Sequence, residues 1–457
     1  MNALDYARQH YDRFVEELFD FLRIPSVSTE AARKQDIQRA ANWLAAHCRH
    51  VGLERVEVFE TPGHPIVYAE WLGAKGAPTV LVYGHYDVQP AEKADGWDTE
   101  PFTPAIRDGN IIARGATDDK GQLFVHLKAF EAFMQTAGTF PVNIKMLFEG
   151  EEETSSLNLG PFIDAHQDLL RADVAVISDT AMFEPGVPAI PYGLRGVVLT
   201  DLEVVGPAND LHSGMYGGTV HNPIHALSEL IATMHGADGQ VAIEGFYDAV
   251  RTLDDTEREQ LAKIPYTEAV WQRETGAPQP WGEPAYSLIE RIGARPTLDI
   301  VSIKGGFLGD GTKAIIPHKA LAKLSCRLVP DQDPDMIIEL IRHHVEAHTP
   351  PTVQATLTKL HTASPVLINR DNEAMQVAIE ACEKVFGKKP IFLLVGGSIP
   401  VVTDFQHKLG LPTILLGFGL PDDNLHGPNE KFSIEQFQVG IQTMLTFYSL
   451  LPERVNQ

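Results

Sequence analysis

Two histidines and a group of acids stand in this chain where side-chain type and spacing would allow hydrolytic metal chemistry. His85 and Asp87 close the run Pro78-Thr79-Val80-Leu81-Val82-Tyr83-Gly84-His85-Tyr86-Asp87-Val88. That β-branched, apolar stretch, bounded by Pro and Gly, reads as a buried strand. Side chains alternate along a strand, so His85 and Asp87 emerge on the same side, as a metal ligand and the group that orients it would. Asp118 lies in a Gly-bounded polar turn, Glu152 and Glu153 come after the buried strand expected over 142–148, Asp179 ends the one expected over 173–178, and His426 sits in an acidic loop. Two imidazoles and several carboxylates without a thiolate form the ligand set of a pair of divalent ions of the zinc, manganese or cobalt type. Asp118 is the candidate to bridge them through its two oxygens. Two such ions clamp a hydroxide, polarise a carbonyl and bring the pKa of bound water from ~15.7 to about 7. A free carboxylate must still take and return the proton, and adjacent glutamates suit that division because neighbouring side chains point different ways. A second candidate is the Gly-rich loop Asn209 to Gly218, which would present His212 to an oxyanion.

These residues need a scaffold that brings strand ends together. Leu4, Tyr11, Val15, Leu18 and Leu22 mark an amphipathic helix stopped by Pro25, and Ile37, Ala40, Ala41 and Leu44 mark another over 36–48. Strands at 55–60, 65–71, 79–84, 142–148 and 173–178, with a helix over 121–137, predict an α/β domain with a mostly parallel sheet and helices on both faces. Such sheets bind ligands at the carboxyl ends of their strands. From about 194 the order becomes strand, helix, strand, strand, helix, strand, which predicts an inserted ferredoxin-like α+β domain interrupted by a long segment, 241–297, that reads as a plain decorated loop, a partner-contacting arm being the alternative. The α/β pattern resumes near 365. The expected organisation is a catalytic domain of residues 1–193 and 365–457 with a lid or dimerisation domain, 194–364, inserted in it.

A length of 457 residues implies more than one core. The formal charge of −24 argues against nucleic acid or an anionic membrane as partner. The acidic amino-terminal stretch does not read as a signal peptide, and no apolar run is long enough to cross a bilayer. Three widely spaced cysteines, Cys48, Cys326 and Cys382, offer neither a disulfide framework nor a Cys-x-x-Cys metal site, so a cytoplasmic location is expected.

Gly84-His85-Tyr86-Asp87, Arg114-Gly115-Ala116-Thr117-Asp118-Asp119-Lys120-Gly121, Glu149-Gly150-Glu151-Glu152-Glu153, Ile177-Ser178-Asp179, Leu211-His212-Ser213-Gly214, Gly396-Gly397-Ser398-Ile399-Pro400 and His426-Gly427-Pro428-Asn429-Glu430 occur in that order. Together they resemble the dinuclear zinc metallopeptidase family of aminoacylase, carboxypeptidase G, desuccinylase and carnosinase. Tyr192-Gly193-Leu194-Arg195-Gly196 and Cys326-Arg327-Leu328-Val329-Pro330 are most similar to the cytosolic non-specific dipeptidase branch. The resemblance implies His85 and Asp179 on one metal, Glu153 and His426 on the other, Asp118 bridging, Asp87 orienting His85, and Glu152 as general base. A slip of one would make Glu151 and Glu152 the base and ligand pair. It also implies a cis peptide after Asp118, an oxyanion role for His212 in the partner subunit's site, and substrate-carboxylate binding by Arg327 and Ser398. Leu394-Val395 stands where many members carry Arg-Glu, and Thr154-Ser155 also departs from the usual pattern.

The expected activity is hydrolysis of dipeptides or very short peptides with a free carboxyl terminus, by a homodimer with two zinc or manganese ions per subunit, cobalt being a substitute. An N-acyl amino acid deacylase of the acetylornithine or succinyl-diaminopimelate type is the alternative on the same metals. A binding protein on the same scaffold is the non-enzymatic one.

Overall fold

The structure, a computed structural model, describes residues 1–397 and 399–455. The chain forms two compact units. The first comprises Met1–Tyr192, Ile368–Phe392 and Pro400–Gln457; the second comprises Gly193–Leu367 and Leu393–Ile399. The second unit thus takes in Leu393–Ile399, which the alternation of elements had grouped with the 365–457 segment.

The first unit is built on six strands: β1 (Arg55–Phe59), β2 (Ile66–Trp71), β3 (Thr79–His85), β4 (Asn143–Glu149), β5 (Val174–Ile177) and β6 (Thr413–Leu415), in the order β1-β2-β4-β3-β5-β6. β4, β3, β5 and β6 run parallel, while β1 and β2 add an antiparallel edge. The sheet is therefore mixed, with helices on both sides. β3 and β4 are buried almost throughout, as strands of a sheet covered on both faces are, and the lysine within β4, Lys145, donates to the carbonyls of Leu169 at 2.6 Å and Arg171 at 2.8 Å.

Helix α1 (Ala3–Leu22) buries Phe14, Val15, Leu18, Phe21 and Leu22 on one stripe. Asn2 caps its start by accepting the Asp5 N–H at 2.8 Å. Beyond its end, the buried Lys120 ammonium donates to the carbonyls of Phe21 (3.2 Å) and Ile24 (2.7 Å). Cations are favoured at that pole of a helix. α2 (Lys34–His50) lies on β1 and β2, and α3 (Lys120–Ala137) packs on β3 and against α1. α4 (Glu373–Phe386) and α5 (Ile434–Val455) pack together, α5 also touching α1 and α3. α3 begins one residue after Asp119. At Gly121 a Cβ would lie 1.9 Å from the Ala116 carbonyl oxygen, so only glycine lets the Asp118 turn close onto the helix.

The second unit holds an antiparallel sheet ordered Thr297–Gly305, Lys319–Leu328, Gly196–Val205, Gln354–Ala363. Helices Pro223–Ala232 and Pro334–His348 cover it, burying Leu227, Leu230, Ile337 and Ile341 against Leu202 and Leu324. Chain order and strand order are those of a ferredoxin-like sandwich. The long 241–297 segment is not a plain loop: it folds into helices Asp255–Ala262, Glu268–Thr275 and Leu288–Gly293, capped by Asp254, Thr267 and Ser287. Among the described residues no helix is long and apolar enough to cross a membrane.

Candidate metal centre

Strand register assembles the site. β3 and β4 pair with His85 opposite Glu149, and β3 and β5 pair with Tyr83 opposite Ile177. The residues just past these strands, including Glu152, Glu153 and Asp179, therefore emerge at the same edge as His85. Gly84 is required there, because a Cβ would come within 2.7 Å of Asp119 Oδ2, the atom that accepts the His85 N–H at 3.1 Å. Asp118 sits between the strand Asn110–Ile112 and α3, and the Asp118–Asp119 peptide is cis. His426 lies beyond β6 in a turn where its own φ is +59°.

The two Asp118 oxygens face different imidazoles: Oδ1 lies 3.1 Å from His85 Nε2 and Oδ2 lies 2.9 Å from His426 Nε2. Asp179 Oδ2 is 3.9 Å from His85 Nε2, and Glu153 Oε2 is 3.4 Å from His426 Nε2. Potential ligand atoms of His85, Asp118 and Asp179 converge within 4.8 Å of one another, and so do those of Asp118, Glu153 and His426. Asp118 belongs to both groups.

Asp87 is fully buried behind them. Its carbonyl lies 3.1 Å from His85 Nδ1, with Oδ1 at 3.4 Å. Its carboxylate also accepts the N–H groups of Glu152 (3.2 Å) and Glu153 (3.1 Å), fixing the turn that carries both acids. Gln89, whose position four residues past His85 carries no signal in the sequence, donates to Glu153 Oε2 at 2.7 Å. Glu151 points elsewhere, accepting the His64 N–H at 2.9 Å and the Asn158 side-chain amide at 2.8 Å. It belongs to neither ligand group.

The donor set fits divalent cations. Among the described residues no lysine or arginine forms an ion pair with Asp118, Glu152, Glu153 or Asp179. Burial, reinforced by the Asp118 charge, pushes Glu153 up to about 8. Burial and the neighbouring Asp119 push Asp179 well above the usual carboxylate range. Burial alone would raise Asp118 as well, but hydrogen bonds with His426 and His85 outweigh it and hold that carboxyl below its ordinary value. A low-dielectric site crowded with carboxylates calls for compensating positive charge. A third convergence of possible ligands, Glu17, His47 and Glu131, is already filled from within, since Lys128 Nζ donates to Glu17, to Glu131 at 2.7 Å and to His47 at 2.9 Å.

The other expected site residues belong to the second unit or lie outside the description. His212 is exposed on the short strand Leu211–His212, and its Nδ1 accepts the Gly214 N–H at 3.0 Å. Arg327 lies on the strand Lys319–Leu328, opposite Val197. Ser398 falls outside the described residues.

An α/β sheet that gathers two imidazoles and several carboxylates at one edge, with Asp118 common to two convergent groups, has the architecture of a metallohydrolase. The chain belongs to peptidase family M20/M25/M40, whose profile matches residues 81–449. It is similar to the Cys-Gly metallodipeptidase dug1 of Schizosaccharomyces pombe, with 34% identity over 452 residues covering 95% of each chain. Among solved structures it is similar to the dipeptidase Dug1p of Saccharomyces cerevisiae (TM-score 0.87, 29% identity, covering 99% of this chain and 98% of the other). It is also similar to the M20 metallo-carboxypeptidase Sso-CP2 of Sulfolobus solfataricus (TM-score 0.87, 33% identity, covering 96% and 99%).

Proposed function

We propose that this chain is a metal-dependent dipeptidase acting on small dipeptides with a free carboxyl terminus, the Cys-Gly type among them. The observation that carries this reading is the Asp118 carboxylate, each oxygen of which faces a different imidazole. His85 and Asp179 would hold one divalent ion, Glu153 and His426 a second, with Asp118 spanning both; zinc or manganese suits these ligands and cobalt can substitute. When bound, the ions supply Lewis acidity and a water activated at neutral pH.

The chain's own groups do the rest. Glu152 takes the proton of the attacking water on its carboxylate and returns it to the leaving amine. Asp87 keeps His85 oriented and the Glu152-Glu153 turn in place. His212 donates to the carbonyl oxygen as negative charge develops on it. Arg327 grips the substrate carboxylate with its planar fork, and Ser398 assists at that end.

The test is a panel of Cys-Gly, Ala-Ala, the same dipeptides as carboxyl-terminal amides, and N-acetyl amino acids, with metal-loaded protein. Free dipeptides are expected to turn over, and the amides to lose about 10- to 100-fold in kcat/KM, the worth of a charged hydrogen-bonded contact. Turnover of the N-acetyl compounds alone would move the protein to the deacylases. Equal rates on amides and free dipeptides would remove the carboxylate role of Arg327.

We further place the enzyme as a homodimer through the second unit, with His212 serving the partner subunit's site. Support comes from the exposure of His212 and of its neighbours Met215 and Tyr216. Sedimentation velocity at assay concentration is expected to give a dimer; a fully active monomer sinks this assignment. A cytoplasmic setting is supported by three free, buried cysteines. Fractionation of the native protein with exported markers would overturn it.

A further inference from the structure

The Glu430 carboxylate touches no ligand atom of the metal centre, yet it is completely buried and gathers four N–H donors from the segment that ends in Asp118. Its Oε1 accepts the backbone N–H of Thr117 at 2.9 Å and of Asp118 at 3.1 Å. Its Oε2 accepts the Gly115 N–H at 2.9 Å and Arg114 Nη1 at 2.7 Å. The other arm of Arg114 donates to the Gly427 carbonyl at 3.1 Å, one residue from His426. Strand pairing delivers the carboxylate to this spot: Lys431–Ser433 runs antiparallel to Asn110–Ile112, and the Ala113 N–H bonds the Glu430 carbonyl at 3.1 Å. Asp423 adds a second tie, since Thr117 Oγ1 donates to its Oδ2 at 3.0 Å and to the Lys431 carbonyl at 2.7 Å.

We infer that Glu430 is a positioning residue that sets the separation of Asp118 from His426, and with it the affinity of the metal position those two share with Glu153. The inference rests on the dinuclear reading above and extends it to a group four residues away from the ligand. The physical reason is specific to a carboxylate. Both oxygens act only as acceptors, so four converging donors can be satisfied at once, and charge-assisted bonds are the stronger ones. A glutamine of the same shape replaces one oxygen by an NH2 that meets N–H donors. At least two bonds are lost, and the backbone of Asp118 or the His426 turn is released. Groups behind metal ligands typically govern metal affinity by about 10- to 100-fold.

Glu430→Gln protein, stripped of metal, would be titrated with zinc against a chromophoric chelator and with cobalt in the visible region. Wild type is expected to take up two equivalents. The variant should keep one at near wild-type affinity, bind the other about 10- to 100-fold more weakly, show an altered cobalt spectrum, and regain turnover when metal is in excess. Two equivalents at wild-type affinity with an unchanged spectrum would overturn the inference. So would a lowered melting midpoint of the metal-free protein with no separation of the two equivalents, which is the signature of a merely structural role. If Glu430→Gln does not fold, Arg114→Lys carries the test: it keeps a cation beside Glu430 but loses the tie to Gly427. The same equivalent should then weaken, and unchanged affinity overturns the inference. Wild-type protein that binds fewer than two equivalents would instead refute the dinuclear reading, and the inference with it.

Discussion

Glu152→Ala is expected to lower kcat by about 10²- to 10⁴-fold while both metal equivalents remain bound, the range ascribed to a positioned general base. Glu152 lies in neither convergent group of ligands, and its side chain has no hydrogen-bond or ion-pair partner among the described residues. Its backbone N–H is held by Asp87, as is that of Glu153, and truncation at Cβ leaves both bonds in place. The loss should appear in kcat and kcat/KM alike, because the proton is transferred only on the way to the transition state. Metal content and single-turnover rates on a free dipeptide are the measurements; a variant retaining more than a tenth of the wild-type rate would remove Glu152 from the mechanism. Glu151→Ala is the control that separates the two possible registers of the acidic run. Its carboxylate bonds His64 and Asn158, so its loss should cost stability and leave kcat little changed.

Stripping the metals is expected to abolish turnover and to lower the melting midpoint as well. Glu153 and Asp179 are crowded with Asp118 and Glu152, without lysine or arginine partners among the described residues. A cation that binds only the folded chain stabilises it by RT ln(1 + [L]/Kd), about 2.7 kcal/mol per site at a free concentration of 100 Kd. The midpoint should therefore rise with metal concentration across the titration, and zinc or manganese added after chelation should restore both stability and rate. Ligands must shed protons before they bind a cation, so the protection should weaken as pH falls. Thermal melts with and without chelator at several pH values are the check. A midpoint indifferent to chelation would show that these carboxylates are accommodated without metal.

Much of this site is legible in the sequence for a simple reason. His85, Asp179 and the acidic run each sit at or just beyond the end of a short, strongly apolar strand, and parallel strands deliver their carboxyl ends to the same edge of a sheet. The alternation of elements likewise carries the α/β layer and the sandwich, because hydrophobic period and Gly/Pro punctuation are local properties. The antiparallel edge of β1 and β2 was not part of that pattern, since an apolar run does not disclose the direction of its neighbour. The helices within 241–297 leave no clear periodic pattern because their apolar content is sparse, although Ser287 and Glu290 form the capping box that marks one of them.

What the sequence determined by itself is the inventory: the candidate ligands, their order along the chain, and the two kinds of layer that hold them. Tertiary structure alone decided the relations between distant residues. It turned Glu153 rather than Glu151 toward His426, because the Asp87 carboxylate captures the N–H groups of the turn and Asn158 captures the Glu151 side chain. It set each oxygen of Asp118 against a different imidazole, and it placed Glu430 beneath the backbone of Asp118, 312 positions away along the chain. Spacing along a sequence reports on neighbours within a turn or a strand. A carboxylate's direction depends on which donors the fold brings to it, and those donors here lie from 7 residues away, for Glu151 and Asn158, to 312 away, for Glu430 and Asp118.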